Sequence, residues 1–211
     1  MDFVRSGNLL NLMKGKAPTD IQKFDILRGL ANGLAHIHDR GTVHNDIKPD
    51  NVLIDIEVLP RDGDNDKTIR WRYVPKWTDF GISASHFNLQ SSAYQNAATL
   101  NMGGLHFYAA PERFLPAAQP SQQADVYSFG FLMIESLAGK QPWNLSKDMD
   151  YRYTFEEISD RHENLKDLLK KCLNKRPSRR PSALQIAQIL ASLQSEIFPP
   201  PNIQTASSSQ T

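Results

Sequence analysis

Between Pro18 and Gly41, apolar residues return every three or four positions: Ile21, Phe24, Leu27, Leu30, Ala31, Leu34 and Ile37, with His38 following. That is the spacing of one face of an α-helix. Thr19 followed three residues later by Gln22 gives the capping-box pattern of a helix start, and Gly41 offers a stop. The period then changes. Val52-Leu53-Ile54 is a short unbroken apolar run, which predicts a buried strand, and from Ile69 to Val74 apolar and basic residues alternate as in a second strand. Arg61 to Asp66, between the two, has turn chemistry. From Ser83 to Gln119 polar and small residues dominate, with paired glycines at Gly103 and Gly104; loops this long are usually functional or disordered. Asp125 to Leu137 is apolar almost throughout and ends at Gly139, predicting a deeply buried helix. Glu163–Cys172 and Ser182–Leu193 read as two amphipathic helices. The pattern shows no internal repeat. It predicts a mainly helical α+β fold with a minor β element.

Composition narrows the class without naming it. The chain has 211 residues, 40% hydrophobic and 22% charged, ordinary for one globular domain or slightly more. Lys plus Arg is 24 and Asp plus Glu 23, a net charge of +1, so nothing calls for nucleic acid or an anionic membrane as partner. Cys172 is the single cysteine, which excludes an internal disulfide and fits a reducing compartment. Met1 to Arg5 carries an acid and a base where a signal peptide needs its apolar run. No window approaches the roughly 18 apolar residues of a membrane span. A cytoplasmic location is expected, with the nucleus left open. From Phe198 onward Pro, Ser, Gln and Thr predominate, as in a disordered tail.

The chemistry concentrates in His44-Asn45-Asp46-Ile47-Lys48-Pro49-Asp50-Asn51, between the first long helix and the predicted strand. The protein kinase catalytic loop runs His-Arg-Asp-Leu-x-x-x-Asn, and the segment departs from it only at Asn45 and the permissive Ile47. Four fixed residues coincide by accident in roughly one chain in a thousand of this size, so this loop is specific where a lone tripeptide is not. Asp79-Phe80-Gly81 follows the second predicted strand, and Ala110-Pro111-Glu112 closes the long loop. Asp125 to Gly130 and Arg176 to Pro181 come later. In that order these five motifs resemble the eukaryotic-type protein kinase family over about residues 1–193.

The resemblance implies a C-terminal kinase lobe over residues 1–197, helical with a small β hairpin, and a disordered tail over 198–211. It implies ATP-dependent phosphoryl transfer to Ser or Thr of a protein substrate, which asks a protein mainly for positioning and charge neutralisation. Asp46 would accept or orient the proton of the substrate hydroxyl, and Lys48 would place a compact positive charge on the transferring phosphate. Asn51 and Asp79 would give oxygen ligands to Mg2+. Leu53 would floor the adenine pocket, and the backbone groups of Asp2 and Val4 would face adenine in a hinge. Glu112 and Arg180 resemble the family's buried ion pair.

The chain also departs from the family. It contains no glycine-rich loop, no strand lysine for the nucleotide phosphates and no helix glutamate to pair with it, so the N-terminal β lobe is read as absent. His44 and Phe80 resemble two members of an apolar spine shared with that lobe, and an uncovered face of this kind would be a binding site or an aggregation liability. Asn45 replaces the arginine that pairs with a phosphorylated loop, and Leu105 stands where a threonine is usual. The alternative reading is therefore a catalytically inactive lobe that binds another protein. Other residues have plain structural readings. His36 and His38 read as helix residues rather than metal ligands. Asp62, Asp64 and Asp66 read as a solvated turn, since Lys67 and Tyr73 occupy the positions where a calcium loop needs glycine and glutamate. The stretch between Asp55 and Trp77 is longer than the hairpin turn usual in the family, and the sequence assigns it no role.

Overall fold

The computed structural model describes residues 7–15, 17–60, 69–79, 84–85, 108–139 and 163–199. Asp2, Val4, Phe80, Gly81, Leu105, the turn at Arg61–Asp66 and the chain from Pro200 lie outside the described residues. A short helix α1 (Leu9–Lys14) begins on Asn8, whose side chain accepts the Asn11 N–H. The long helix α2 (Asp20–Asp39) starts where the capping pattern put it. Thr19 N–H donates to the Gln22 side chain at 2.9 Å, and Gln22 N–H donates back to the Thr19 hydroxyl at 3.4 Å. Its buried stripe is Phe24, Ile26, Leu27, Leu30, Ala31, Leu34 and His38. Ile21, which the spacing placed on that face, is 43% exposed, and Ile26 faces the core instead.

The β content is larger than the sequence suggested. Strands β2 (Val52–Val58) and β3 (Trp71–Trp77) form an antiparallel hairpin of seven paired positions, from Val52 opposite Trp77 to Val58 opposite Trp71. The alternation that predicted a strand at Ile69–Val74 therefore belongs to one that starts later and runs through Pro75. Proline is tolerated there because the N–H of that position would face away from the ladder. Two two-residue strands, β1 (Thr42–Val43) and β4 (Ala84–Ser85), pair antiparallel in a second sheet.

Helix α3 (Gln122–Ala138) is capped by Ser121 and closed by Gly139 at φ 68, a left-handed position that glycine takes without strain. Helices α4 (Glu163–Cys172) and α5 (Ala183–Ile197) complete the fold. α5 runs one turn past the predicted Leu193. Phe198 then meets Phe24 edge-on at 5.8 Å, so packing continues past the boundary drawn at 197. The core gathers α2, the root of the hairpin, α3, α4 and α5 around Leu27, Leu34, Ile54, Phe129, Leu132, Leu168 and Leu190. Cys172 is fully buried within it, and burial pushes its thiol up to about 12, which removes it as a nucleophile.

Two glycines let the hairpin lie close on α2. A Cβ on Gly33 would stand 3.1 Å from the Trp77 ring, and one on Gly29 would stand 2.8 Å from the Pro75 ring. Helix propensity alone predicts that Gly29→Ala stabilises by about 1 kcal/mol. Pro75 is a rigid ring on a paired strand, so overpacking costing about 1–3 kcal/mol should win. Urea unfolding of Gly29→Ala should show a net loss of stability, and a net gain would mean the hairpin moves off α2 freely.

Candidate active site

The His44–Asn51 segment is held from beneath by one carboxylate. Asp125, in the first turn of α3, is only 2% exposed. Its Oδ2 accepts the backbone N–H of His44 at 2.8 Å and its Oδ1 accepts that of Asn45 at 2.8 Å. His38, near the end of α2, places Nε2 2.9 Å from the same Oδ2. The histidine that sequence reading assigned to structure thus joins α2 to α3 through the carboxylate that clamps the loop. Sequence reasoning quoted Asp125 as part of a motif but gave it no role. Asn45 has φ 69, a region that asparagine tolerates better than most residues, so it serves the bend of the loop.

Above this clamp, three of the sequence-predicted residues meet. Lys48 Nζ donates to Asp46 Oδ2 at 2.7 Å, and Asn51 Nδ2 donates to the same oxygen at 2.6 Å and to the Asp46 carbonyl at 2.8 Å. The Asp46 side chain is 6% exposed and that of Lys48 29%, so the carboxylate is recessed while the ammonium reaches the surface. Asp46 Oδ1 is buried and has no hydrogen-bond partner among the described residues. Pro49–Asn51 forms a single 3-10 turn that carries Asn51 back toward Asp46 and leads straight into β2.

Asp79 arrives by way of the hairpin. The ladder continues one step past β3, with Thr78 N–H donating to the Asn51 carbonyl at 3.0 Å, so the next residue emerges beside the catalytic-loop segment. Asp79 has φ 60 and is exposed. Trp77, which the sequence reading passed over, fixes the strand that delivers it. Its indole N–H donates to the Leu30 carbonyl at 3.0 Å, and its ring lies edge-on to His44 at 5.2 Å and Phe129 at 6.2 Å. Leu53 is half-buried on β2 and bridges Asn8, so it borders the N-terminal segment.

Burial holds the His44 imidazole below its ordinary value, against the pull of the Asp125 and Asp46 carboxylates. A lowered folded value means the folded state resists protonation, so this stability is present above the unfolded value near 6.5 and is lost as pH falls below it. Between pH 7.5 and 5.5 the urea midpoint of the protein should therefore fall more steeply than that of His44→Phe. Parallel slopes would remove His44 as the source.

Further along, Arg180 donates to both oxygens of Glu112, at 2.5 and 2.8 Å, to the Asn174 carbonyl at 2.8 Å and to the Gln123 carbonyl at 2.9 Å. Its guanidinium also lies over the Tyr127 ring. The pair expected from the motifs is formed. Nearby, the Tyr108 hydroxyl donates to Glu135 inside α3, and burial first, then that carboxylate, drives the phenol up.

The donor set suits Mg2+. With its amide N–H groups engaged on Asp46, Asn51 keeps its amide oxygen for another partner, and Asp79, exposed one step past the paired strand, would add a carboxylate. Among the described residues no group of three or more His, Cys, Asp or Glu could form a protein-only cage. Two oxygen donors, with phosphates and water completing the shell, match a hard cation that dehydrates reluctantly.

A loop with this spacing and geometry, held on a helical body beside a small hairpin, defines a protein kinase domain. The protein kinase domain family model matches residues 1–190, and the chain belongs to that family. It is 34% identical over 146 residues to the MAP kinase kinase kinase mkh1 of Schizosaccharomyces pombe, a match spanning 68% of this chain and 11% of that protein. It is 25% identical over 212 residues to the serine/threonine-protein kinase SSK22 of Saccharomyces cerevisiae, covering 88% of this chain and 14% of that protein. Human receptor-interacting serine/threonine-protein kinase 1 matches at 28% over 145 residues, 68% of this chain and 20% of that protein. The chain thus spans a small part of the length of these relatives. No helix among the described residues is long and apolar enough to cross a membrane.

Proposed function

We propose that this chain carries the phosphoryl-transfer loop of an ATP-dependent Ser/Thr protein kinase, with Asp46, Lys48, Asn51 and Asp79 as its working residues. The observation that supports this most is the double hold on Asp46 Oδ2 by Lys48 and Asn51, with Oδ1 left without a hydrogen-bond partner among the described residues. A carboxylate fixed by one oxygen keeps the other aimed. It is suited to accept a proton from a Ser or Thr hydroxyl as that oxygen attacks phosphorus. Lys48 sits between this carboxylate and solvent, where its ammonium offsets charge on the transferring phosphate. Asn51 and Asp79 would hold Mg2+, which neutralises phosphate charge when bound. Leu53 and the backbone of Asp2 and Val4 are assigned to adenine. On this reading the chain supplies the helical lobe. Full activity also requires the glycine-rich loop and the lysine–glutamate pair of a nucleotide-gripping lobe.

The test is phosphate transfer from radiolabelled Mg-ATP to casein by the gene's complete product. Asp79→Asn should raise the Mg2+ concentration needed for half-maximal rate by on the order of tenfold or more, because one of the two metal oxygens loses its charge. An unchanged Mg2+ requirement removes Asp79 from the metal site. No transfer at any Mg2+ concentration would favour the protein-binding, inactive lobe.

A further inference from the structure

The apolar face of the hairpin outruns the helix that covers it. Cross-strand partners share a face, so Ile54, Ile56 and Val58 stand on one side together with Pro75, Tyr73 and Trp71. At the root of the hairpin that side is covered, with Pro75 against Gly29 and Trp77 against Gly33 of α2. Farther out it is not. Ile56 is 45% exposed, Val58 66% and Trp71 41%. The ladder continues one step beyond β2 and β3, with Leu59 N–H donating to the Arg70 carbonyl at 2.8 Å, so alternation brings Ile69, 69% exposed, to the same side. Tyr73 meets Trp71 edge-on at 4.9 Å and forms the inner margin of the patch.

The patch carries no charge of its own. The ionic side chains of β2 and β3 stand on the opposite side and pair with one another, Glu57 with Arg72 at 2.6 Å and Asp55 with Lys76 at 3.1 Å. Beside Tyr73, Asp25 and Arg28 of α2 likewise pair with each other, at 3.3 Å. A charged occupant would give up its hydration here and meet no counter-charge. An uncharged apolar surface would not, and the same face on a second copy is such a surface. Ile56, Val58, Ile69 and Trp71 together leave roughly 400–500 Å² in water, the size at which a patch on a single chain marks a contact. Two such faces brought together bury about 800–1,000 Å², the lower limit for a specific interface, which sets the expected pair as a reversible one with a dissociation constant in the micromolar range.

We propose that two copies of this chain associate through this face, hairpin against hairpin, with Ile56, Val58, Ile69 and Trp71 of each copy forming the contact. A face that meets itself closes as a two-fold pair and does not extend into a fibre. Leu53 stands on the opposite side of β2, so the docked copy leaves the side assigned to adenine open. The proposal does not rest on the phosphoryl-transfer reading. On it, the extra length between Asp55 and Trp77 serves to carry an apolar face out beyond the helical core.

Sedimentation velocity on the gene's complete product, from micromolar to hundreds of micromolar, tests it. A reversible monomer–dimer equilibrium should appear. Val58→Glu puts a carboxylate into the contact at a position that is already exposed, so it should weaken the dimer by about tenfold or more and leave the thermal melt in place. Ile69→Lys, at a position equally exposed, should do the same. Lys76→Gln, on the opposite side, should leave the dimer as strong as the parent's. A product that stays monomeric throughout the range overturns the proposal and gives the face to a different protein. A dimer unchanged by Val58→Glu and Ile69→Lys, or weakened as much by Lys76→Gln, overturns it by placing the contact elsewhere. A dimer that forms only after deletion of residues 200–211 overturns it by making the chain's own tail the occupant.

Discussion

Asp46→Asn should lower the rate of phosphate transfer by roughly 10²–10⁴-fold, the usual contribution of a positioned general base. The substitution keeps the shape of the side chain and can keep the bond from Asn51, but it removes the charge that draws Lys48 to 2.7 Å and the lone pair that would receive the proton. The loss should fall on kcat, with KM for ATP changing little, because Asp46 is assigned to the transition state and not to the nucleotide. Folding should survive. The loop's position depends on Asp125, His44 and Asn45, and Lys48 is 29% exposed and keeps water when its partner is neutralised. Initial rates with Mg-ATP and a generic protein acceptor, measured beside a thermal melt, separate the two effects. A rate within a factor of a few of the parent rejects Asp46 as the base.

Arg180→Ala should cost more stability than any other substitution named above. The Arg180 side chain is fully buried and that of Glu112 is 21% exposed, so truncation strands a carboxylate that water reaches only in part. Removing one partner of a buried pair costs about 3–5 kcal/mol, and partial wetting of Glu112 places the expected loss in the lower half, about 3–4 kcal/mol. For a chain of this size that is a fall in Tm of roughly 6–16 °C. Arg180→Lys should recover only a minor part, since an ammonium cannot make both parallel bonds to Glu112 and reach two backbone carbonyls besides. Urea unfolding measures both variants. A loss under about 1 kcal/mol would mean that the segment around Glu112 is anchored elsewhere.

The helices and the meeting of the loop residues could be read from the chain because their determinants are local. Thr19 with Gln22 and Ser182 beside Gln185 cap their helices within one turn, and the spacing of Leu27, Leu30 and Leu34 follows from a 3.6-residue period alone. Asp46, Lys48 and Asn51 lie within six residues, so a single 3-10 turn suffices to bring them together, and their motif carried that information. The Glu112–Arg180 pair spans 68 residues and was legible only through the family resemblance.

What tertiary structure alone decided is long-range or two-sided. That Asp125 clamps the loop depends on α3 crossing beneath it some 80 residues later in the chain, and no local pattern marks one acidic residue in a helix's first turn for that role. The hairpin's reach past Pro75 depends on Gly29 and Gly33 admitting it against α2, a match between two surfaces that neither segment states by itself. Side-chain period fixed which residues could share a face. Which face was covered followed from the neighbours that the rest of the chain placed there.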